Sequence, residues 1–365
     1  MSRVRRWSAV GLVCALVVLM VPASGMRASA SDSSDRRLTR LALITDKALQ
    51  TKSLGISPGG IILGQNMMYR HNVTVFDENG AIVKVLPDTV DLTAFGIPGK
   101  TGLYQGSPVE VAFSPNGPYA YVSNYQMYGK GYRRPGHDKC PPGKWDESFV
   151  YRIDLVTLEI DQVIPVGAVP KFMAVTPDGT RLLVSNWCSY DVSVVDLGTT
   201  QTLARVKVGR FPRGIVVTAD SSTAYIAVMG ANKIVKVDLD TYQFAKVPGG
   251  GITPRHLVLS PDEQFLYVSN NLEHVIRKMN LSTGAVTRLR TGVQPRSMVL
   301  SEDGASLFVV NYVSGTLSKV RTADFVEVQR VRTGGVHPVG VTYDPVRRRV
   351  WVANYKGSIA IFQDA

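Results

Sequence analysis

From residue 108 to residue 365 one pattern returns about every 42 residues. It reads as a proline, a basic residue, an apolar strand and a Ser-Pro-Asp-Gly turn, then a strand ending in Val-Ser-Asn and a third ending in Asp-Leu. Residues 170–212 hold the unit whole, and its leading proline recurs as Pro108, Pro170, Pro212, Pro254, Pro295 and Pro338. The intervals are 62, 42, 42, 41 and 43 residues, so the long one marks an insertion. A period of this length, built of short strands and turn signals, predicts an all-β propeller with four-stranded blades.

The ends of the second strands give an independent count. Asn66, Asn124, Asn186, Val228, Asn270, Asn311 and Asn354 hold equivalent places, which makes seven blades. The last blade has three strands of its own, and an open edge would leave backbone groups unpaired. The strand-like run Arg40–Gln50, before blade 1, is expected to pair with Ser358–Gln363 and close the ring. The propeller then spans residues 38–365, with residues 31–37 as a flexible linker.

Residues 1–30 carry Arg3, Arg5 and Arg6, then fifteen uncharged residues, then small ones. This is the layout of a secretory signal peptide, with cleavage after Gly25 or after Ala30. The apolar run is short for a spanning helix, so no stable transmembrane anchor is expected. Without the leader, 37 basic residues face 29 acidic ones, a net charge of about +8. This balance suits an anionic small molecule, an acidic cell-wall glycan or a membrane surface, and a protein partner is a further expectation. The absence of a long basic run or a recognition helix argues against nucleic acid. Two cysteines remain, Cys140 and Cys188, in loops that neighbouring blades place side by side. In an oxidising compartment they are expected to form a disulfide.

The strands YVSN (121–124), LLVSN (182–186), YVSN (267–270) and FVVN (308–311) resemble the YVTN-type propeller repeat. The resemblance covers roughly residues 38–365 and implies a secreted or surface-associated protein, often seven-bladed. That repeat family grades into lactonase-like and lyase-like propellers as well as binding proteins, so the fold does not name the function.

Functional residues are sought on the face that surrounds the channel mouth. The residue after each leading proline is Lys52 (behind Thr51, which replaces the proline), Val109, Lys171, Arg213, Arg255, Arg296 and Val339. Five of the seven are basic, and an arc of cations at one end of a channel attracts anions. Tyr125, Trp187, Tyr312 and Tyr355 each follow a strand-ending Asn and offer rings to a planar or sugar-like ligand. All five histidines fall on this face: His71, His137, His256, His274 and His337. No His-x-His or HExxH spacing accompanies them, and neither metal nor cofactor is expected. The insertion 126–148 is rich in Gly and Pro and carries several aromatic and charged residues. It is expected to lie over the mouth as a partial lid, with residues 88–107 as the opposite wall.

Two functions fit. The favoured one is a secreted, monomeric binding protein for an anionic or glycan-like ligand or a partner protein. The other is an enzyme with lactonase-like hydrolysis or lyase chemistry, using Glu110, His137 or His256 for proton transfer. No nucleophile elbow, phosphate loop or redox-cofactor motif is present.

Overall fold

The computed structural model describes residues 32–136 and 138–365. The leader read over residues 1–30, its cleavage positions and His137 lie outside the described residues. Seven four-stranded antiparallel sheets form the blades of one propeller. Blade 1 runs from Ser53–Ile56 to Ile82–Pro87, blade 2 from Pro108–Phe113 to Glu159–Pro165, and blade 3 from Pro170–Val175 to Thr202–Val206. Blades 4, 5 and 6 begin at Pro212, Pro254 and Pro295. Blade 7 takes its inner three strands from Pro338–Asp344, Arg349–Asn354 and Ser358–Asp364. Its outer strand is Leu38–Thr45, which pairs antiparallel from Leu38↔Asp364 to Thr45↔Ser358. The ring is closed as the sequence predicts, although the pairing strand begins two residues earlier and ends at Thr45. Leu49, beyond it, turns inward and is buried between blades 7 and 1.

Apolar residues on both faces of each blade meet those of the neighbours. Among the described residues, each junction from blades 1 and 2 round to blades 7 and 1 holds a cluster of buried side chains, seven in all. Each sheet buries its faces this way because Val, Ile and Leu alternate along strands whose side chains point to opposite sides. At the tight turn after the innermost strand, Gly179 adopts φ +75° and Gly304 φ +70°, a region that penalises other residues.

The strand-ending Asn has a structural task. Asn311 Oδ1 accepts hydrogen bonds from Gly292 N and Thr291 Oγ1, while its amide donates to Thr316 and Ser318. It thereby fixes the loop that leads to the next innermost strand. A Cβ on Gly292 would stand 2.6 Å from Asn311 Cβ, so the loop needs glycine at that approach. The preceding serine reaches across the blade junction: Ser123 Oγ donates to Lys171 O and Ser269 Oγ to Arg296 O. The recurrent Ser-Asn therefore anchors the backbone from which the basic residues project.

Residues 32–37 are packed rather than free of the domain. Ser33 Oγ bonds Ser301 and Asp303, and Lys319 Nζ donates to Ser33 O and Arg36 O. Residues 88–107 form the hairpin Thr89–Asp91 with Leu103–Gln105. It is not the opposite wall of the mouth. Val90, Leu92 and Tyr104 pack with Met127, Phe149 and Tyr151 on blade 2, because an apolar hairpin is better buried on a sheet than held over water. No helix among the described residues is long and apolar enough to cross a membrane.

Cys140 and Cys188 form a disulfide, with Cα atoms 5.4 Å apart. It ties the insertion to blade 3, and both cysteines sit in an apolar patch with Tyr125, Val169 and Trp187. Reduction should therefore free the insertion while leaving the blades intact. Limited proteolysis should then cut within residues 126–148 of the reduced protein and spare the rest. Equal resistance in both redox states would mean that the other contacts of the loop suffice.

Candidate functional site

Each innermost strand of blades 2–7 carries a β-bulge directly after its leading proline, as between Pro254 and His256 or Pro338 and Gly340. A bulge re-aims the side chain at its apex. Here that side chain is the residue after the proline, and the repeat turns it toward the channel.

The result is a channel in three levels. At the mouth a cavity of about 360 Å³ is lined by Lys52, Lys171, Tyr125, Tyr355, Tyr128 and Asp138, among others. Below it Arg213, Arg255 and Arg296 close a narrow neck with Glu110, Phe172 and His256. Beneath the neck the channel reopens to about 230 Å³ among Ser53, Phe113, Val341 and Thr342. Two outer furrows of similar volume, between blades 5 and 6 and between blades 1 and 2, gather none of these basic residues.

Five basic side chains thus face two carboxylates. Lys171 Nζ donates to Asp138 Oδ1 at 2.7 Å and lies over the rings of Tyr125 (4.3 Å) and Trp187 (5.1 Å). Tyr125 Oη donates to the same carboxylate. Glu110 stands 3.7 Å from Arg213. Arg296 lies 3.3 Å from the centroid of Tyr312 and Lys52 5.1 Å from that of Tyr355. Arg255 is buried and makes no hydrogen bond or ion pair among the described residues.

The electrostatics follow from this crowding. Burial, with Arg213 and Arg255 adding to it against Asp138, brings Lys171 down to about 8. Burial and the four other cations hold Lys52 well below the ordinary lysine range. Arg296 is lowered to about 10 by burial and Arg213, with Tyr312 opposing. His256, buried beside Arg213 and Arg255, falls to about 3 and is neutral at physiological pH. Burial raises Glu110, while Arg213 and Lys52 offset part of the rise. Burial alone would raise Asp138 too, but Lys171 reverses this and holds it below the usual carboxylate range.

The sequence-predicted residues divide into three groups. Lys52, Lys171, Arg213, Arg255, Arg296, Tyr125, Tyr355, Glu110 and His256 line the channel together. Trp187 and Tyr312 instead form shelves: Trp187 stacks on Phe211 at 4.6 Å and Tyr312 on His337 at 4.4 Å. His337 Nδ1 pairs with Tyr312 O, as His71 Nδ1 does with Gly106 O and His274 Nδ1 with Gln294 N, so these three staple neighbouring blades. Asp138, which the sequence places only within the insertion, proves to be the counterion of Lys171. Met67 and Met68 also line the mouth. Their position after Asn66, equivalent to that of Tyr125 and Trp187, was the signal available for them.

Fold and site define the protein as a seven-bladed β-propeller whose channel mouth is built around convergent cations. Its C-terminal part, residues 273–364, matches the family described as "Lactonase, 7-bladed beta-propeller". No curated protein matches the chain.

Proposed function

We propose that this is an exported propeller of the YVTN-repeat type that binds an anionic small molecule at its channel mouth. The observation that carries this reading is the buried, unpartnered Arg255 among four further cations and only two carboxylates. Glu110 and Asp138 act on Arg255 only at a distance, against burial, Arg213 and Arg296, so an anionic ligand that pairs with it directly would offset part of the cost of gathering these charges. Tyr125 and Tyr355 give the ligand's body two rings at the mouth, and Gly136 and Asp138 of the insertion cover one side of it.

Inorganic phosphate and citrate should raise the melting temperature of the oxidised domain, since a ligand of the native state stabilises it by mass action. Arg255→Ala should weaken either anion roughly 10- to 100-fold, the loss expected for one charged hydrogen-bonding partner. Affinity should also fall as pH rises through about 8, where Lys171 loses its proton. Unchanged affinity in Arg255→Ala would remove the site from the channel.

A second reading is hydrolysis of an anionic lactone in the same cavity. The match of residues 273–364 to the lactonase family supports it, as does the presence of Glu110 and His256 in the neck. In this reading Glu110 takes a proton from the attacking water. Turnover lost in Glu110→Gln with anion affinity retained distinguishes the enzyme from the binder.

A further inference from the structure

We infer that Lys52 is a nucleophilic amine, placed to form an imine with the carbonyl group of an anionic oxo compound whose charge the neck arginines hold. This rests on the anion-binding reading above and adds a covalent step to it.

Lys52 differs from the other basic residues of the arc. It enters from blade 1, whose innermost strand has Thr51 in place of the proline, and its own N–H bonds Gln65 O at 2.7 Å. The side chain lines the mouth cavity and is half-buried, so small molecules in the cavity reach it. Its ammonium lies 5.1 Å from the centroid of the Tyr355 ring and makes no hydrogen bond or ion pair among the described residues. Lys171, by contrast, is committed to Asp138 and roofed by Tyr125 and Trp187.

The groups facing Lys52 are Arg213, Arg255, Arg296 and Lys171, with Glu110 the carboxyl group opposite them. Four like charges and partial burial both favour the uncharged amine. A lysine beside other cations is thereby activated as a nucleophile at neutral pH. The same cations would hold the carboxylate or phosphate of the reacting compound and so bring its carbonyl to the amine.

The step balances without an oxidant or a reductant. The Nζ lone pair forms a bond to the carbonyl carbon, and the carbonyl oxygen takes a proton to give a carbinolamine. Nitrogen then loses a proton, the hydroxyl leaves as water with a proton from Glu110, and a carbon–nitrogen double bond remains. Burial raises Glu110, against the pull of Arg213 and Lys52, and a raised carboxyl group is the better proton donor for this exchange.

Glyoxylate, an anionic aldehyde small enough for the mouth, is the probe. The oxidised full-length domain is incubated with it and treated with borohydride, whose hydride reduces the imine to a stable secondary amine. Peptide mapping should find carboxymethylation at Lys52 ahead of the exposed Lys47, Lys130, Lys144 and Lys356. Citrate should suppress the mark on Lys52 but not on the exposed lysines. The Lys52 mark should also reach its plateau at lower pH than theirs. Modification that tracks exposure and spares Lys52 overturns the inference. Thermal shifts with citrate on the same preparation separate the two readings. A shift without a Lys52 mark leaves the anion site standing and removes the amine chemistry, whereas neither signal removes both.

Discussion

Lys319→Met should lower the stability of the propeller by about 3–5 kcal/mol, the cost of leaving one member of a buried ion pair uncompensated. Lys319 is fully buried in the third strand of blade 6, and its ammonium has three partners. They are Asp364 Oδ1 at 2.5 Å, Ser33 O at 2.6 Å and Arg36 O at 2.8 Å. Those groups come from the C-terminal strand and from the segment just before the closing strand. One side chain thus ties both ends of the chain to blade 6. Methionine fills the space but leaves the Asp364 carboxylate with Arg36, 3.8 Å away, as its remaining cation. Burial already raises Asp364, against the pull of Lys319. For an acid with a raised folded pKa, stability is present at low pH and lost as pH rises. The deficit of the variant should therefore shrink from about pH 8 to about pH 5, as Asp364 becomes able to carry its proton. Urea midpoints at the two pH values measure it. A deficit under 1 kcal/mol at both would show that the backbone pairing of Leu38–Thr45 with Ser358–Asp364 closes the ring unaided.

The same contacts explain what was legible in the sequence. Blade number and strand order could be read because local signals return in nearly every blade, and ring closure because the last blade is one strand short. The strand-ending Asn, the leading proline and the turn glycine serve the same backbone task in successive blades, so period and structure coincide. Val228 breaks the pattern without breaking the blade, since the strand pairing from Pro212↔Val228 onward is kept. The lock of residues 32–36 on Lys319 was not legible. It joins positions more than 280 residues apart, and a short Ser-Ser-Asp stretch has the composition of a linker.

At the channel mouth the arc of basic residues was visible because it is written into the repeat, at one position that is basic in five of the seven blades. The non-repeating parts were not. Asp138 pairs with Lys171 through a loop whose path is set by the Cys140–Cys188 disulfide, so its position has no counterpart in other blades. The histidines share the loop face for a different reason from the arginines. Three of them bond backbone groups between adjacent blades, which makes their clustering a matter of architecture.

Asp88→Asn should stabilise the protein at mildly alkaline pH and leave it unchanged in acid. Asp88 follows the outer strand of blade 1, is only 2% exposed, and neither carboxylate oxygen has a hydrogen-bond partner. Its backbone carbonyl accepts from Gly106 N, which fixes it beneath the hairpin of residues 89–105. Burial without a partner raises its pKa to about 8. In the unfolded chain the same group titrates near 3.9. Between those values the unfolded chain has lost the proton that the folded chain still holds, so stability falls as pH rises, by up to about 1.4 kcal/mol per pH unit. The contribution is complete below about pH 4 and lost by about pH 8, a total of up to about 5–6 kcal/mol. Asparagine keeps the shape and the polarity but cannot ionise, so the slope disappears. Urea midpoints of the two proteins should coincide near pH 4 and separate steadily toward pH 8, with the variant the more stable. Parallel profiles across that range would mean that the folded protein hydrates Asp88 or lends it a partner, and its carboxyl would then titrate as an ordinary surface group does.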